Sequence, residues 1–359
     1  MNTKAVSALA FLLLSSFISC SNKVESNVED GIVIKSGELT LENTLDALEP
    51  LVPFHFKEAD TEGMIEENIE IDSHFTSFHS DFIANIEMTQ SDRPHVDVYI
   101  PKDFKVKVTY LNGELRLENL EKNINININR NSEETVMINL CVPKVEKLEL
   151  SGISLLSFTG DFIQSENLLI DISGCSGITS EGSLNVGNLK MDVSGCSKIE
   201  IPKLKTDFFN FHLTGISGLE VATCVCNNMK GITDGTSQAK MKTDISEQLD
   251  IDISGSSKFY LNNEILKEGI VKISGISFVE LTGSVDRLEA SVTGASKLHV
   301  NGGTIKEGSL EIGGTSFAKL SGSSDYLKAD LSGISKLDVS NLEYSSYNFN
   351  CDVLSKIKK

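Results

Sequence analysis

The sequence predicts an all-β fold, a right-handed parallel β-helix, on three observations: a repeated phrase, strand-period alternation, and a second half almost free of proline. A Gly followed two positions later by Ser recurs ten times between residues 150 and 337, at spacings of 19 to 22 residues. Such a period is typical of a stacked array in which each unit buries its apolar face against its neighbours. We therefore predict a two-sheet solenoid with coils of about 20 residues.

The repeated glycines are predicted to form the tight turn of each coil, because Gly tolerates dihedrals and close approaches that a Cβ forbids. They are Gly152, Gly174, Gly195, Gly215, Gly255, Gly275, Gly294, Gly314 and Gly333, with a degenerate tenth member at Gly235. The Ser hydroxyls are predicted to satisfy polar groups at these corners and not to act as nucleophiles. At the degenerate phrase, 234–237, we expect a bulge or a protruding loop, because the preceding strand lacks the usual aliphatic residues.

Apolar and polar residues alternate on both sides of each phrase, which is the period of a half-buried strand. The residue two before each Gly is aliphatic except at Thr233, and the residue four after it is always apolar. Both columns are predicted to line the interior, with two short strands in each coil. Only Pro202 follows Val145, as expected where every backbone N–H is needed for a ladder.

Two rival architectures fit the repeat less well. An up-and-down meander would require Asn-Gly or Asp-Gly turns at every reversal, and the leucine-rich repeat signature is absent. The chirality of parallel crossovers favours a right-handed coil.

The N-terminus has the features of an export signal. Residues 1–19 carry Lys4 and then an apolar run that is too short to span a bilayer. The run ends in Phe17, Ile18, Ser19 and Cys20, which resembles a bacterial lipoprotein box and predicts lipidation of Cys20. An ordinary signal cleaved near the same point, which would leave a free protein, is the alternative.

Composition divides the remaining chain. Residues 20–72 form an acidic spacer, with 14 acidic and 3 basic residues from Ser21 to Asp72. Residues 73–144 are predicted to be the N-terminal part of the β-domain, 145–350 the repeat array, and 351–359 a basic tail. The tail from Asn341, with Tyr344, Tyr347 and Phe349, is predicted to cap the array. The formal net charge of −19 argues against nucleic acid as a partner.

The cysteines indicate no zinc site, since no His or acidic residue stands at ligand spacing around them. Cys175 and Cys196 occupy the same slot of successive repeats and should lie one rung apart. In an exported protein they could pair, but in-register parallel neighbours offer poor disulfide geometry, so buried thiols are the default. Cys224 and Cys226 share one face of a strand, too close together for an easy bridge.

Two outward patterns are candidates for function. Three residues before the Gly stand Glu149, Asp171, Asp192 and His212, on adjacent rungs where like charges could recruit a cation. Lys147 and Lys190 offset that repulsion, so a solvated ionic face is favoured. Glu149, Asp171 and Asp192 remain only candidate metal ligands.

The second pattern follows the repeated Ser. Lysine (Lys198, Lys258, Lys297, Lys336) and large apolar residues (Leu155, Phe278, Phe317) share this position. Along one edge of the array they would form a ribbed edge, in which charged and large apolar side chains alternate. This edge could bind a partner, or it could serve only for packing or solvation, which is the favoured interpretation.

With these features the chain resembles the bacterial auto-transporter adhesin, head GIN domain family, roughly from Ser73 to Asn350. The segment from Phe75 resembles the family's opening strands, followed by an Asn-Gly turn at Asn112 and Gly113. The Gly phrases resemble its tight turns between two sheets of a superhelix. The resemblance implies a β-helical fold related to pectin-lyase-like solenoids and supplies no catalytic residues.

The function predicted is that of an exported lipoprotein, anchored in the outer membrane by its N-terminal lipid and facing the periplasm or the cell surface. Its non-catalytic rod would bind a glycan or protein ligand, because a long repetitive surface suits extended ligands. No cofactor, catalytic residue or nucleic acid partner is predicted, and the oligomeric state stays open. The alternative is a carbohydrate-active enzyme, a polysaccharide lyase or hydrolase, since parallel β-helices also carry such sites.

Overall fold

The computed structural model describes residues 61, 63–102, 104–120 and 135–359. Within these ranges the chain contains strands and no helix, and so no helix long and apolar enough to cross a bilayer. The predicted signal, Cys20 and most of the acidic spacer lie outside the described residues. The strands are β1 (Ile65–Ile69), β2 (Ser77–Ser80), β3 (Ile83–Gln90), β4 (His95–Ile100), β5 (Val106–Leu111), β6 (Glu114–Asn119), β7 (Val136–Val142), β8 (Lys147–Leu150), β9 (Ile153–Thr159), β10 (Phe162–Ile163), β11 (Leu168–Ile172), β12 (Gly177–Ser180), β13 (Ser183–Asn185), β14 (Asn188–Val193), β15 (Lys198–Lys205), β16 (Phe208–Leu213), β17 (Gly218–Thr233), β18 (Gln238–Ile253), β19 (Lys258–Ile273), β20 (Phe278–Val292), β21 (Lys297–Asn301), β22 (Thr304–Ile312), β23 (Phe317–Leu331), β24 (Lys336–Cys351) and β25 (Lys356–Lys358).

The strands stack as parallel coils of about 20 residues, which form a β-solenoid of about 11 turns. From β8 onward every described strand pairing is parallel. In the later coils one strand pairs with the next along most of its length, as β18 does with β19. The predicted parallel β-solenoid is therefore confirmed.

Each coil is divided more finely than the predicted two strands. The coil that follows Gly174 contains three segments, β12, β13 and β14, with bends between them. The middle segment is only three residues long, too short for its alternation to be visible in the sequence. In later coils the segments merge into one strand, and register shifts mark the bends, as between Val221 and Cys224.

The Gly corner is the tightest contact between coils. All ten repeated glycines have φ between 71° and 75°. From Gly174 onward, a Cβ on each would lie 2.4 to 2.7 Å from the carbonyl oxygen of the preceding glycine in the column. The residue after each of these glycines donates its N–H to that same oxygen, as Ile276 does to Gly255 at 2.8 Å. Gly is therefore required both by its φ and by the closeness of the next coil.

The bulge expected at 234–237 is not found. Gly235 has φ 72°, like the other corners, and Thr233 and Gln238 stay in register with the following coil. The Ser237 hydroxyl donates to the Asp234 carbonyl oxygen at 2.7 Å, which closes the turn locally. The prediction was wrong because the corner depends on its own Gly and Ser, and not on the aliphatic residues of the preceding strand.

The serine column is buried, and its hydroxyls form hydrogen bonds at the corners except for Ser197, whose Oγ has no partner among the described residues. All ten side chains are at most 4 % exposed. The Ser296 hydroxyl, for example, donates to the Gly275 carbonyl oxygen at 3.2 Å, one coil away. This arrangement agrees with the predicted structural role of the hydroxyls.

The two predicted interior columns are confirmed as core. Every residue two before or four after a repeated Gly is buried, Thr233 included. Aromatic rings fill the wider part of the interior, where Phe211 stacks on Phe259 with ring centroids 6.3 Å apart. Burial of these columns supplies the main apolar contribution to stability.

Antiparallel strands close the N-terminal end. On one side β5 pairs antiparallel with β6, which lies parallel to β2. On the other side β7 lies parallel to β3, β4 pairs antiparallel with β7, and β1 pairs antiparallel with β4. The predicted Asn112-Gly113 turn joins β5 to β6, with both residues at positive φ. The coil of β2 and β3 is thus sandwiched, since β8 and β9 cover its other side.

The C-terminal end carries one more corner, beyond the predicted limit of the array at residue 350. Ser355 takes the serine place, and its hydroxyl donates to the Gly333 carbonyl oxygen at 3.2 Å. Val353 stands where the others have Gly and is 99 % exposed. The Leu354 N–H bonds to the Asp352 carboxylate at 3.2 Å instead of to the column of glycine carbonyls, so the ladder of corner bonds ends here.

The aromatic residues of the tail belong to the last long strand, β24, and lie over buried residues of β23. The rings of Tyr347 and Phe349 lie 4.7 Å apart, and Tyr344 contacts both edge-on. The Lys359 ammonium sits 4.2 Å from the centre of the Tyr347 ring. Their position over the end of the core is that of a cap.

Replacing Gly255 by Ala should strongly lower the melting temperature, because Ala must take φ +72° and place Cβ 2.4 Å from the Gly235 oxygen. We expect a cost near the upper end of single substitutions, about 4 kcal/mol. Gly302→Ala is the matched control, since φ is +68° there and no atom lies within 4 Å of the added Cβ. It should cost only about 1–2 kcal/mol. Equal losses in thermal unfolding would contradict the close-approach argument.

Candidate binding faces

Two outward faces of the solenoid carry most of the chemically distinctive side chains. The pre-corner face consists of the outward residues of the strands that lead into each repeated Gly. The post-corner face consists of the outward residues of the strands that follow it. Because strand residues alternate in direction, both faces lie over the buried columns described above.

The predicted carboxylate file runs along the pre-corner face. Glu149, Asp171, Asp192 and His212 are direct neighbours on successive coils. Lysines two residues earlier pair with two of them: Lys147 with Glu149 and Lys190 with Asp192, both at 2.7 Å. The ionic face favoured from the sequence therefore matches the geometry of these two carboxylates.

Asp171 is the exception in this file. It forms no ion pair with any described residue. Burial raises the pKa of its carboxyl, and the negative charges of Asp192 and Glu149 raise that pKa further. Among the described residues no three His, Cys, Asp or Glu side chains stand close enough to hold a metal ion.

A groove of about 760 Å³ lies beside the file. Its wall carries an amide ladder in which Asn188 donates to the Asn167 side-chain oxygen at 2.8 Å. Phe208, 55 % exposed, projects beside these amides. Glu146, Glu166 and Lys190 add charge. Exposed amides next to an aromatic ring can bind hydroxyl-rich or peptide ligands.

The ribbed edge predicted from the sequence lies on the post-corner face. We call its C-terminal half the lysine–aromatic strip, which consists of two adjacent columns. The first column contains Lys258, Phe278, Lys297, Phe317, Lys336 and Lys356, and the second Tyr260, Glu280, His299, Lys319, Asp338 and Lys358.

Rings within the strip are in contact. The His299 imidazole lies edge-on to Phe278, with centroids 5.0 Å apart, and edge-on to Phe317, at 5.9 Å. Burial lowers the pKa of His299; Glu280 opposes this change, while Lys319 and Lys297 reinforce it. A smaller groove of about 330 Å³ adjoins the strip at Tyr260 and Glu280.

The cysteines are all free among the described residues. Cys175 and Cys196 lie one coil apart, as predicted, but they are half-buried instead of buried, and their thiols share a hydrogen bond that lowers the pKa of Cys196. Cys224 and Cys226 are both buried in β17.

Comparison with known proteins identifies a family. The family described as "Putative auto-transporter adhesin, head GIN domain" matches this chain over residues 74–264 and 228–342. These matches span well over half of the chain, so the chain belongs to this family. Membership of an adhesin-like family indicates an exported or surface protein, and the family description points to binding, not catalysis.

The fold is similar to that of a solved structure. A "Putative lipid binding protein" from Parabacteroides distasonis ATCC 8503 is 15 % identical with a TM-score of 0.57, over 67 % of this chain and 97 % of that one. A "putative adhesin" from Parabacteroides merdae ATCC 43184 is 12 % identical with a TM-score of 0.34, over 83 % of this chain and 96 % of that one. No curated protein matches the sequence significantly.

Some features of the faces were not predicted from the sequence. The groove at Phe208 was missed because its walls come from four successive coils whose outward residues do not repeat. The contact of His299 with the two phenylalanines was also missed, since the His lies in the neighbouring column. The sequence did contain a signal for this contact: His299 lies two residues after Lys297 in one strand, so both side chains point to the same face.

Asp171→Asn should raise the melting temperature at pH 7. The raised pKa means that the carboxyl ionises more easily in the unfolded chain, so stability is lost as pH rises through the folded pKa. The gain over wild type should vanish below about pH 3, where Asp is protonated in both states.

Asp330→Asn is the control in the same column, with the opposite sign. Hydrogen bonds from Asn350 and Lys328 lower the pKa of Asp330, so its contribution is present at neutral pH and is lost as pH falls. This variant should melt lower than wild type at pH 7. Melting shifts of the same sign in both variants would contradict the assignment.

Addition of Ca²⁺ should not change the wild-type melting temperature. A Ca²⁺-induced shift that Asp171→Asn abolishes would instead support a metal site at these carboxylates.

Proposed function

We propose that this chain is an exported, lipid-anchored and non-catalytic adhesion protein that binds a glycan or protein ligand on the outer faces of a rigid rod. Lipidation at Cys20 would hold it in the outer membrane. Three considerations support the proposal: family membership, the filled interior, and the placement of exposed polar and aromatic groups on the outer surface.

The groove beside Phe208 is the observation that carries the proposal. It is open, spans four coils, and combines exposed amides with a projecting ring. An extended ligand can contact such a surface at several points without entering a deep pocket. The backbone beneath it is fixed by parallel ladders on both sides, so little ordering is needed on binding.

A hydrolytic enzyme is the second candidate, and one observation favours it. Asp171 has a raised pKa between two other carboxylates, on rungs about 5 Å apart. Retaining glycosidases use two carboxyl groups at about that separation, one of them held protonated. Lys147 and Lys190 neutralise the two neighbours, which favours the structural interpretation of the file.

The test combines binding and cleavage on one panel. The mature protein would be applied to a glycan array that also carries phospholipid vesicles, since one similar structure is named a lipid binding protein. A reducing-sugar assay would follow on the same polysaccharides. We expect binding without new chain ends. Release of reducing ends that Asp171→Asn abolishes would establish the enzyme instead.

Phe208→Ser should weaken binding to the array ligand about tenfold, because the exposed ring is lost from the groove. Ile276→Ser is the matched control: Ile276 is similarly exposed, at 63 %, but lies at a corner outside the groove. Equal effects of the two variants would exclude the groove as the binding site.

Protease shaving of intact cells would show whether the rod is displayed at the surface, since a periplasmic protein would stay protected.

A further inference from the structure

The lysine–aromatic strip carries positive charge on a strongly acidic protein. Its two columns contain six lysines and two carboxylates, whereas the whole chain has a net charge of −19. The excess is therefore local and lies on one face of the C-terminal coils.

Most of these lysines have no carboxylate partner among the described residues. Lys297, Lys319, Lys336 and Lys356 form no ion pair with any described residue, and only Lys358 is paired, to Asp338 at 3.1 Å. The N-terminal half of the same face differs, because Lys198 pairs with Glu200 and Lys240 with Glu220. Along this face the lysines thus change from ones neutralised by a neighbouring carboxylate to ones whose charge is open to a ligand.

Charge and aromatic surface alternate in the first column. Lys258, Phe278, Lys297, Phe317 and Lys336 follow one another on successive coils, but Lys258 is only 6 % exposed, so Lys297 and Lys336 are the accessible lysines of this run. Up to Lys336 the lysines therefore recur at every second coil, about 10 Å apart, with a ring between them, and Lys356 then follows Lys336 directly. The rings are fixed by their contacts with His299, and the Lys336 ammonium lies 5.4 Å from the centre of the Phe317 ring.

We propose that the lysine–aromatic strip binds a linear acidic polysaccharide in which a carboxylate-bearing sugar alternates with a neutral one. The inference rests on the proposed binding function but uses a surface other than the Phe208 groove. Lysine ammonium groups donate charge-assisted hydrogen bonds to the carboxylates. The half-buried Phe rings offer flat apolar surface to the neutral sugars between them.

Alternation distinguishes this ligand from other polyanions. A polymer with a charge on every unit would place every second charge over a phenylalanine, and the net negative charge of the protein would repel the rest of it. Single-stranded nucleic acid also stacks on aromatic residues, but it carries a phosphate on every nucleotide. The smaller groove at Tyr260 adjoins the N-terminal end of the strip.

Hyaluronan oligosaccharides are the probe, because glucuronate alternates there with a neutral amino sugar. Polygalacturonate, dextran and oligothymidylate serve as comparison ligands, and binding to the full mature chain would be measured by calorimetry at two salt concentrations. We expect hyaluronan to bind most tightly, and more weakly at high salt. The double variant Lys297→Gln/Lys336→Gln should weaken that binding about tenfold or more.

The matched control is Lys267→Gln/Lys306→Gln. It removes the same charge from exposed lysines that are paired elsewhere, to Glu247 at 2.6 Å and Asp286 at 2.7 Å. It should change hyaluronan binding less than about twofold. Equal losses in both double variants, tighter binding of polygalacturonate or oligothymidylate, or no hyaluronan binding would each overturn the proposal.

The two proposals fail differently. If the strip variant keeps full binding to the array ligand while hyaluronan does not bind, the strip proposal falls and the adhesion proposal stands. If hyaluronan binds through the strip and its reducing ends increase with time, the strip proposal stands and the non-catalytic assignment falls.

Discussion

Each coil of this protein meets the next through a glycine that has no room for a side chain. The carbonyl oxygen of one glycine lies only 2.4 to 2.7 Å from the place that a Cβ on the next glycine in the column would take. That oxygen accepts the N–H of the residue after this next glycine. This contact fixes the distance between coils and keeps the strands in register through each corner. The buried Ser beside it satisfies polar groups at most corners, so a sharp turn can be repeated with few unpaired buried atoms, Ser197 Oγ and Thr233 Oγ1 being exceptions among the described residues.

The same constraint sets the ends of the array. Phe82 and Val353 take the glycine place in the first and last corners, and neither has positive φ. At the last corner the Asp352 carboxylate binds the local N–H groups that the glycine column would otherwise serve. Antiparallel strands and a ring cluster then cover the ends, which limits the exposed edges that a solenoid would otherwise present to other chains.

A regular interior leaves the outer residues free to vary. The pre-corner face uses that freedom for paired charges and a polar groove, while the post-corner face changes from paired to unpaired lysines along its length. Both faces present side chains at the fixed spacing of the coils. For a binding protein this arrangement positions several weak contacts at once with little entropic cost.

The sequence by itself determined the solenoid, its period, the two buried columns and the structural role of the serines, because these depend on local parity and on Gly at a strained corner. It also placed Glu149, Asp171 and Asp192 on adjacent rungs, since a constant period carries register with it. Tertiary structure decided the rest. The third strand segment, the extra corner at Ser355 and the sandwiched coil of β2 and β3 arise from pairings between distant segments. The partners of each charge, and the groove at Phe208, depend on outward residues that no repeat constrains.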